Sequence, residues 1–411
     1  MSKVLLVLPT STYRATDFLD AARHLGADVV VASEEQQALA PTMGDRFLKV
    51  DLCDPEIAAG EIARHSAKPD AIVGVDEQGV LVAAHAAELL GLPHNPPAAV
   101  AATRDKRKLR RVLTGAGLAQ PRVMTREHAT YPCIVKATTL SGSRGVIRAN
   151  DSRELDAAIE RVAAIAGNRS ELVIEGFVPG AEVALEGLLD GGTLYVLALF
   201  DKPDPLDGPY FEETIYVTPS RLERSAQEAI EHCVADACAA VGLVDGPVHA
   251  EVRVPSEAEG RPVLLEVAAR SIGGLCSRAL RFGAGISLEE VILRHALGVP
   301  LGDLTRTRSA SGVMMIPIPR SGTLTNVGGV AVARAVDGIE GIEITIPRGQ
   351  EVLALPEGDR YLGFIFATGS SPPAVESALR RAHSLLHIEI SGGCSRCARR
   401  RRRSTPVTAT D

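Results

Sequence analysis

Apolar residues open the chain in a short unbroken run, VLLVLP; an amphipathic stretch near residues 16 to 25 follows, then Gly26 and a second apolar run, DVVVAS. Short apolar runs bounded by turn formers read as buried strands of a parallel sheet, and apolar positions three or four apart read as a helix covering it. The pattern predicts strand, helix, strand, with a further buried strand in DAIVGVDE, residues 70 to 77, and so a doubly wound α/β opening. No G-x-G-x-x-G follows the first strand, where PTSTYR stands instead, so a dinucleotide fingerprint is missing and the opening reads as structural.

Residues 80 to 90 read as an Ala-rich helix ended by Gly91 and Pro93, and HNPP leads to a second helix over residues 103 to 115 that carries Lys106. A first boundary falls near residue 100. YPCIVKA reads as a strand ending at Lys136, and Asp151 with Glu154 forms a capping box for the helix DSRELDAAIERVAAI. LVIEGFV, EVALEGLLD and TLYVLALF read as successive strands, and from IPIPRSGTL to residue 390 a Gly- and Val-rich tract alternates like short strands before the helix AVESALRRAHSLL. That tract reads as a separate α+β domain. Beyond Gly392 nothing apolar remains to be buried, so disorder is expected there.

Composition narrows the class. The 411 residues allow two to four domains, aromatic residues make up 3% of the chain, and Trp is absent, so the core is expected from Ala, Val, Leu and Ile. No apolar run reaches the roughly 18 residues a membrane helix needs, and a cytoplasmic location is expected. The net charge is -7, yet the last eighteen residues hold six Arg and one Asp, which leaves the remainder at -12. An acidic body argues against nucleic-acid binding, which requires clustered Lys and Arg. Seven cysteines show no disulfide spacing; Cys394 and Cys397 form a lone C-x-x-C, half of a zinc site, and read as a thiol pair in the tail.

Candidate chemistry gathers on two strands. In VHAEVRV, residues 248 to 254, alternation puts Val248, Ala250, Val252 and Val254 on one face and His249, Glu251 and Arg253 on the other. A hairpin through SEAEGR returns PVLLEVAAR, in which Glu266 sits in an apolar run and Arg270 lies four residues on. Carboxylates on adjacent strands can hold Mg²⁺ together with phosphate oxygens, so Glu251 and Glu266 are metal candidates; the alternative is a solvated face with Glu266 paired to Arg270. His249, two positions before a metal carboxylate, is either a base for an incoming amine or an orienting partner of Glu251. In KATTLSGSRGVIRA, residues 136 to 149, small residues let backbone N–H groups approach phosphate oxygens, with Lys136 supplying charge and Ser141 and Ser143 further donors; an ordinary hairpin turn is the alternative. EGFVPGAE offers backbone groups of residues 175 to 178 to a planar base and Glu182 to ribose hydroxyls, against ordinary surface glutamates.

The order of these pieces carries more than any one of them. A helix lysine, a strand lysine, a Gly-Ser loop, Glu175 seven residues before Glu182, H-x-E, then E-x-x-x-R-x-x-G together resemble the ATP-grasp superfamily. DKPDPLDGPYFEETIYVTPS, followed by the carboxylate strands, is similar to its carboxylate–amine ligase branch, which includes L-amino-acid ligases.

That resemblance implies a pre-ATP-grasp α/β domain over residues 1–100, an ATP-grasp domain over 101–300 with subdomains of about 101–172 and 173–300, a C-terminal ligase domain over 301–393, and a basic tail over 394–411. It implies that Lys106 and Lys136 touch phosphates, with Ser141, Gly142, Ser143 and Gly145 in the lid. Glu175, Gly176, Phe177 and Val178 would line adenine, Glu182 would hold ribose, and Glu251 and Glu266 would bind metal. Arg270 would face an acyl phosphate with the Gly273 N–H beside it, and Glu213 with Arg270 would meet substrate. The implied cofactors are ATP and two Mg²⁺ or Mn²⁺ ions, the partners a small carboxylate and an amine, and the assembly allowed for is a homodimer. Ala268 stands where most members have Asn, implying looser hold on one ion; Ile215 and Tyr216 stand where the branch often has Gly-His, which puts acceptor specificity in question. The reaction implied is amide or peptide bond formation with release of ADP and phosphate; the alternatives are activation of bicarbonate or formate, or ATP binding without turnover.

Overall fold

A computed structural model describes residues 2–35, 44–167, 171–255, 261–307 and 309–392. The Cys394–Cys397 pair, the Arg run and most of the SEAEGR hairpin lie outside the described residues. The chain divides into two compact units: Met1–Thr130, Val173–Pro205 and Thr218–Arg308 form the first, and Tyr131–Leu172, Leu206–Val217 and the residues from Ser309 on form the second. The units are therefore assembled from interleaved segments.

The first unit opens with a parallel sheet in the order Phe47–Lys49, Asp28–Ser33, Lys3–Val7, Ala71–Gly74. Leu5 pairs with Val30 on one side and Ile72 on the other, and Val4, Leu5, Leu6 and Val7 are all fully buried, as an uninterrupted apolar run requires. The helices Ala15–His24 and Val80–Leu90 stand where the spacing predicts them, and a further helix, Pro55–Arg64, was not read from the sequence. The helix expected over residues 103 to 115 is Lys106–Gly115, and a separate helix, Pro97–Thr103, precedes it. Asp105 separates the two: its carboxylate accepts from the N–H groups of Arg107 and Lys108, so it caps a new helix whose first residue is Lys106.

The same unit holds four antiparallel strands in the order Val263–Ala268, Gly246–Val254, Ala181–Asp190, Thr193–Lys202. Their apolar face (Val183, Leu185, Val248, Ala250, Val252, Leu264, Val267) packs with Leu109 and Leu113 of the Lys106 helix and with Ile230 and Val234 of the helix Arg224–Val241. Complete burial of each such side chain contributes about 1.5–3 kcal/mol, so this face fixes the strands while the opposite one is left for charge.

In the second unit Cys133–Ala137 pairs antiparallel with Ile147–Ala149, and the helix Ser152–Ala166 is capped by Asp151, which accepts from the Glu154 N–H. The reciprocal bond of the capping box goes to the N–H of Asn150, one residue earlier than the expected Asp151. The later tract is α+β. Ile339–Ile344, Gly363–Gly369 and Ala310–Ile316 form one antiparallel set, and Glu351–Val352, Gly322–Gly328 and His387–Ser391 another. Val375, Leu379 and Ala382 of the helix Pro372–Ser384 pack in the core of this unit with Met314, Ile342 and Ile365. No helix among the described residues is long and apolar enough to cross a membrane.

Candidate active site

Strand alternation sorts the central strands as the sequence predicts. Val248, Ala250 and Val252 are fully buried in the apolar core, while His249, Glu251 and Arg253 lie on the other face. Glu251 is in direct register with Glu266, and the register shifts immediately after Glu251. A bulge beside this pair re-aims the side chains that follow, a common device at functional sites. The two carboxylates keep 22% and 26% of their side-chain surface exposed, whereas Glu182, Glu186 and His249 around them are buried. They are the carboxylates of this face that an incoming cation can reach.

Cations of the chain surround them. Lys202 Nζ donates to Glu251 Oε1 at 3.1 Å and to Glu182 Oε1 at 2.7 Å, and Arg253 Nε lies 2.9 Å from the other Glu182 oxygen. The Arg253 guanidinium also stacks over Phe177, 5.6 Å from the ring centre, and donates to the Gly180 carbonyl. Lys106 Nζ is 3.5 Å from Glu266 Oε2, so the helix lysine is set against a metal-candidate carboxylate. Arg270 makes its direct contact elsewhere, with Glu266 acting on it at longer range: Arg270 Nε donates to Glu77 Oε2 at 2.8 Å, and Glu77 Oε1 lies 3.5 Å from Arg104 Nε.

His249 is buried, with Nδ1 2.5 Å from Glu186 and Nε2 3.7 Å from Glu251. Burial pulls its pKa down, but the two carboxylates outweigh that and hold it up to about 9. With Nδ1 on Glu186 and Nε2 toward Glu251, the imidazole is placed to orient Glu251. Glu186 is fully buried and its Oε2 has no hydrogen-bond partner among the described residues.

The segment expected to line adenine is partly committed already. The Glu175 carboxylate is buried in a fork-like pair with Arg110, whose Nη2 also donates to the Leu265 carbonyl. The Gly176 N–H donates to the Arg122 carbonyl. Those two groups brace the strand, and any contact to a base falls to the remaining backbone groups through Val178. Gly273 has open space where a Cβ would stand, and its carbonyl accepts from Cys276. Ala268, buried, pairs with His249, and Ile215 and Tyr216 are buried as well.

In the second unit Lys136, 8% exposed, is the penultimate residue of Cys133–Ala137, one short of the strand end expected at Lys136. Ser141 and Gly142 are exposed in the turn that follows, and Gly142, Ser143 and Gly145 have φ of 63°, 55° and 65°. Ser143 is the one non-glycine residue in the left-handed region among the described residues, and the N–H groups of Arg144 and Val146 are spent on the Ser141 and Ser143 carbonyls. Gly145 is a correction to the phosphate cradle: its N–H is spent on the Pro356 carbonyl. Glu213 is half-buried in the segment before Ile215, and its neighbour Glu212 has its carboxyl pushed up by burial, partly offset by a hydrogen bond from the Ile318 backbone.

Sequence reasoning missed Arg14, Glu77, Arg110, Glu186 and Lys202. Glu186 and Lys202 had a signal, a charge set among buried strand positions; Arg14 and Glu77 meet partners about 200 residues or more away, and no spacing reveals that.

Comparison with known protein families decides what this charged face belongs to. Residues 19–94 match the ATP-grasp N-terminal domain, 129–279 the ATP-grasp domain, and 314–391 the L-amino acid ligase C-terminal domain 2. The chain is an ATP-grasp protein. An alanine–anticapsin ligase of Bacillus subtilis is 26% identical over 255 residues, which span 54% of this chain and 53% of that protein, about half its length. The crystal structure of an L-amino acid ligase from Bacillus licheniformis superposes with a TM-score of 0.80 at 25% identity, covering 95% of this ATP-grasp chain and 99% of that one. The biotin carboxylase domain of a Hydrogenobacter thermophilus 2-oxoglutarate carboxylase, solved with MgADP, ADP and bicarbonate, shares the fold at a TM-score of 0.68 and 18% identity, covering 95% and 91%.

Proposed function

We propose that this ATP-grasp protein is an ATP-dependent carboxylate–amine ligase that joins a carboxylate to an amine through an acyl phosphate, with an L-amino acid among its substrates. The observation that carries the proposal is the registered pair Glu251 and Glu266, reachable from solvent on a face otherwise sealed by buried ion pairs, with Lys106 beside one and Lys202 beside the other. The resemblance to L-amino acid ligases in the C-terminal domain supports an amino-acid substrate over bicarbonate.

The donor set suits magnesium, since two carboxylates leave positions for phosphate oxygens. When bound, the ion would neutralise phosphate charge and act as a Lewis acid on it. The residues of the chain do the remainder. A substrate carboxylate oxygen attacks the γ-phosphorus of ATP, the bond to the β-phosphate oxygen breaks, and ADP leaves; Lys106 and Lys136 match the lysines that meet the phosphates. The amine then attacks the acyl carbon, loses a proton to solvent, and phosphate departs. Arg270, fixed by Glu77, and the Gly273 N–H meet the oxyanion of that step, where one such donor is worth about 3–4 kcal/mol. The acyl phosphate must be kept from water, and the turn from Ser141 to Gly145 matches the segment given that task in the family.

The test is phosphate release from ATP with single amino acids and with pairs of amino acids or amines, with product mass measured. ADP formed with a pair, together with a condensed product of the summed mass less water, supports the ligase. Dependence on bicarbonate alone, or binding of MgATP without turnover, overturns it.

A further inference from the structure

Arg14 lies in PTSTYR, between the first strand and the first helix, where a dinucleotide fold would keep its phosphate loop. It is 1% exposed; both terminal nitrogens are engaged within the protein, while Nε has no hydrogen-bond partner among the described residues. One terminal nitrogen donates to Ser271 Oγ at 2.7 Å and to the Ile272 carbonyl at 3.1 Å; the other donates to Glu289 Oε1 at 2.7 Å, and the Phe18 ring lies 5.0 Å away under the guanidinium. Ser271, Ile272 and Glu289 are each 2% exposed.

Ser271 and Ile272 are the two residues that separate Arg270 from Gly273. An ion pair with Glu289 would by itself satisfy a buried arginine's charge; the second nitrogen is aimed at the backbone and side chain of the link between the two oxyanion donors. Arg14 and Glu77 follow the neighbouring parallel strands Lys3–Val7 and Ala71–Gly74, so both emerge at the carboxyl ends of these two strands. That is the crevice in which open α/β sheets take ligands. In this chain it grips the loop of residues 270–272 instead, Glu77 by the Arg270 side chain and Arg14 by the two residues after it.

We propose that Arg14 is a positioning residue for ligation: by clamping Ser271 and Ile272 it sets the spacing between the Arg270 guanidinium and the Gly273 N–H. The proposal rests on the ligase reading for its catalytic consequence, but the clamp itself is independent of turnover. A guanidinium fork is required, because a lysine reaches Glu289 with one point charge and cannot also hold two acceptors at fixed geometry. A misplacement of about 1 Å in an oxyanion arrangement can cost roughly 100-fold in rate.

The experiment compares Arg14→Lys and Ser271→Ala with Asp17→Asn, which removes the Arg278–Asp17 pair in the same region without touching the loop. Amide hydrogen exchange of residues 270–276 and steady-state kinetics are read on each full-length protein. Expected are about 10-fold faster loop exchange and a kcat lower by roughly 10- to 100-fold, with the KM for ATP within about twofold, in both clamp variants. Asp17→Asn should lower the melting temperature and leave kcat and loop exchange as they were. Loop exchange unchanged in Ser271→Ala and Arg14→Lys overturns the clamp whether or not the protein turns over. Faster exchange with unchanged kcat overturns the catalytic role alone, and a wild type that exchanges as expected yet never releases phosphate overturns the ligase reading while leaving the clamp in place.

Discussion

Glu251 and Glu266 stand opposite one another across an antiparallel pair, each with a lysine within 3.5 Å, Lys202 for the first and Lys106 for the second. Removing Glu266 takes away the carboxylate beside Lys106, whereas removing Glu251 leaves Lys202 its pair with Glu182. Glu266→Ala is expected to lower the rate of ATP-dependent phosphate release by about 1,000-fold, the several kcal/mol that a metal contributes to transition-state charge. Initial rates across a magnesium titration check this, and activity within tenfold of wild type would end the metal assignment.

Lys202, only 3% exposed, neutralises Glu182 and Glu251 together. Lys202→Met fills similar volume but leaves Glu182, Glu186 and Glu251 with two of their three cations on a largely buried face. A loss of about 3–5 kcal/mol in unfolding free energy is expected. Urea unfolding followed by circular dichroism measures it, and the double variant Lys202→Met with Glu182→Leu should regain part of the loss.

Glu289 carries the acid-side prediction. Burial pushes its carboxyl up, but Arg14, with help from Ser277 and the backbone, outweighs burial and holds it below the usual 4.5. A folded-state pKa below the unfolded one stabilises the protein above pH 4.5, and that stabilisation drains away as the pH falls through the lowered folded value. Wild type should therefore lose stability below pH 4.5 more steeply than Glu289→Gln, whose melting temperature at pH 7 is lower but flatter on acidification. Thermal melts from pH 7 to pH 3 would show parallel curves if the argument is wrong.

Gly329 precedes the short helix Val330–Arg334 with φ of 78°, and a Cβ there would run into the Leu385 carbonyl. Gly329→Ala meets a left-handed backbone and a backbone collision at once, so it should destabilise by at least about 1–3 kcal/mol. Calorimetry reads the change; a stable Gly329→Ala protein would contradict the local geometry.

The parts that the sequence made legible are those in which neighbours in the chain are also neighbours in space. The run Val4–Val7, the Asp151 cap and the alternation around Glu251 followed from local rules and stand in the structure. The break at Asp105 was equally local, an acid immediately ahead of an amphipathic run, but the regular apolar spacing of residues 103 to 115 masked it. The partners of Arg270 and Glu175 were illegible for a different reason. Glu77 is 193 residues from Arg270, and Arg110 is 65 from Glu175, so each pairing is decided by how elements pack and by no period in the chain. The nearby Glu266 offered Arg270 a local partner, and packing overrode it.

Glu182, Glu186 and Glu251 contribute three negative charges, and Lys202, Arg253 and the raised His249 contribute three positive ones within hydrogen-bonding or ion-pairing reach of them. Unlike a zinc finger, whose ligands repel until the ion arrives, this constellation is balanced by the chain's own cations. If Glu251 holds the proposed ion, chelation should silence the protein without unfolding it, and binding would be an exchange in which Glu251 trades an ammonium for a dication.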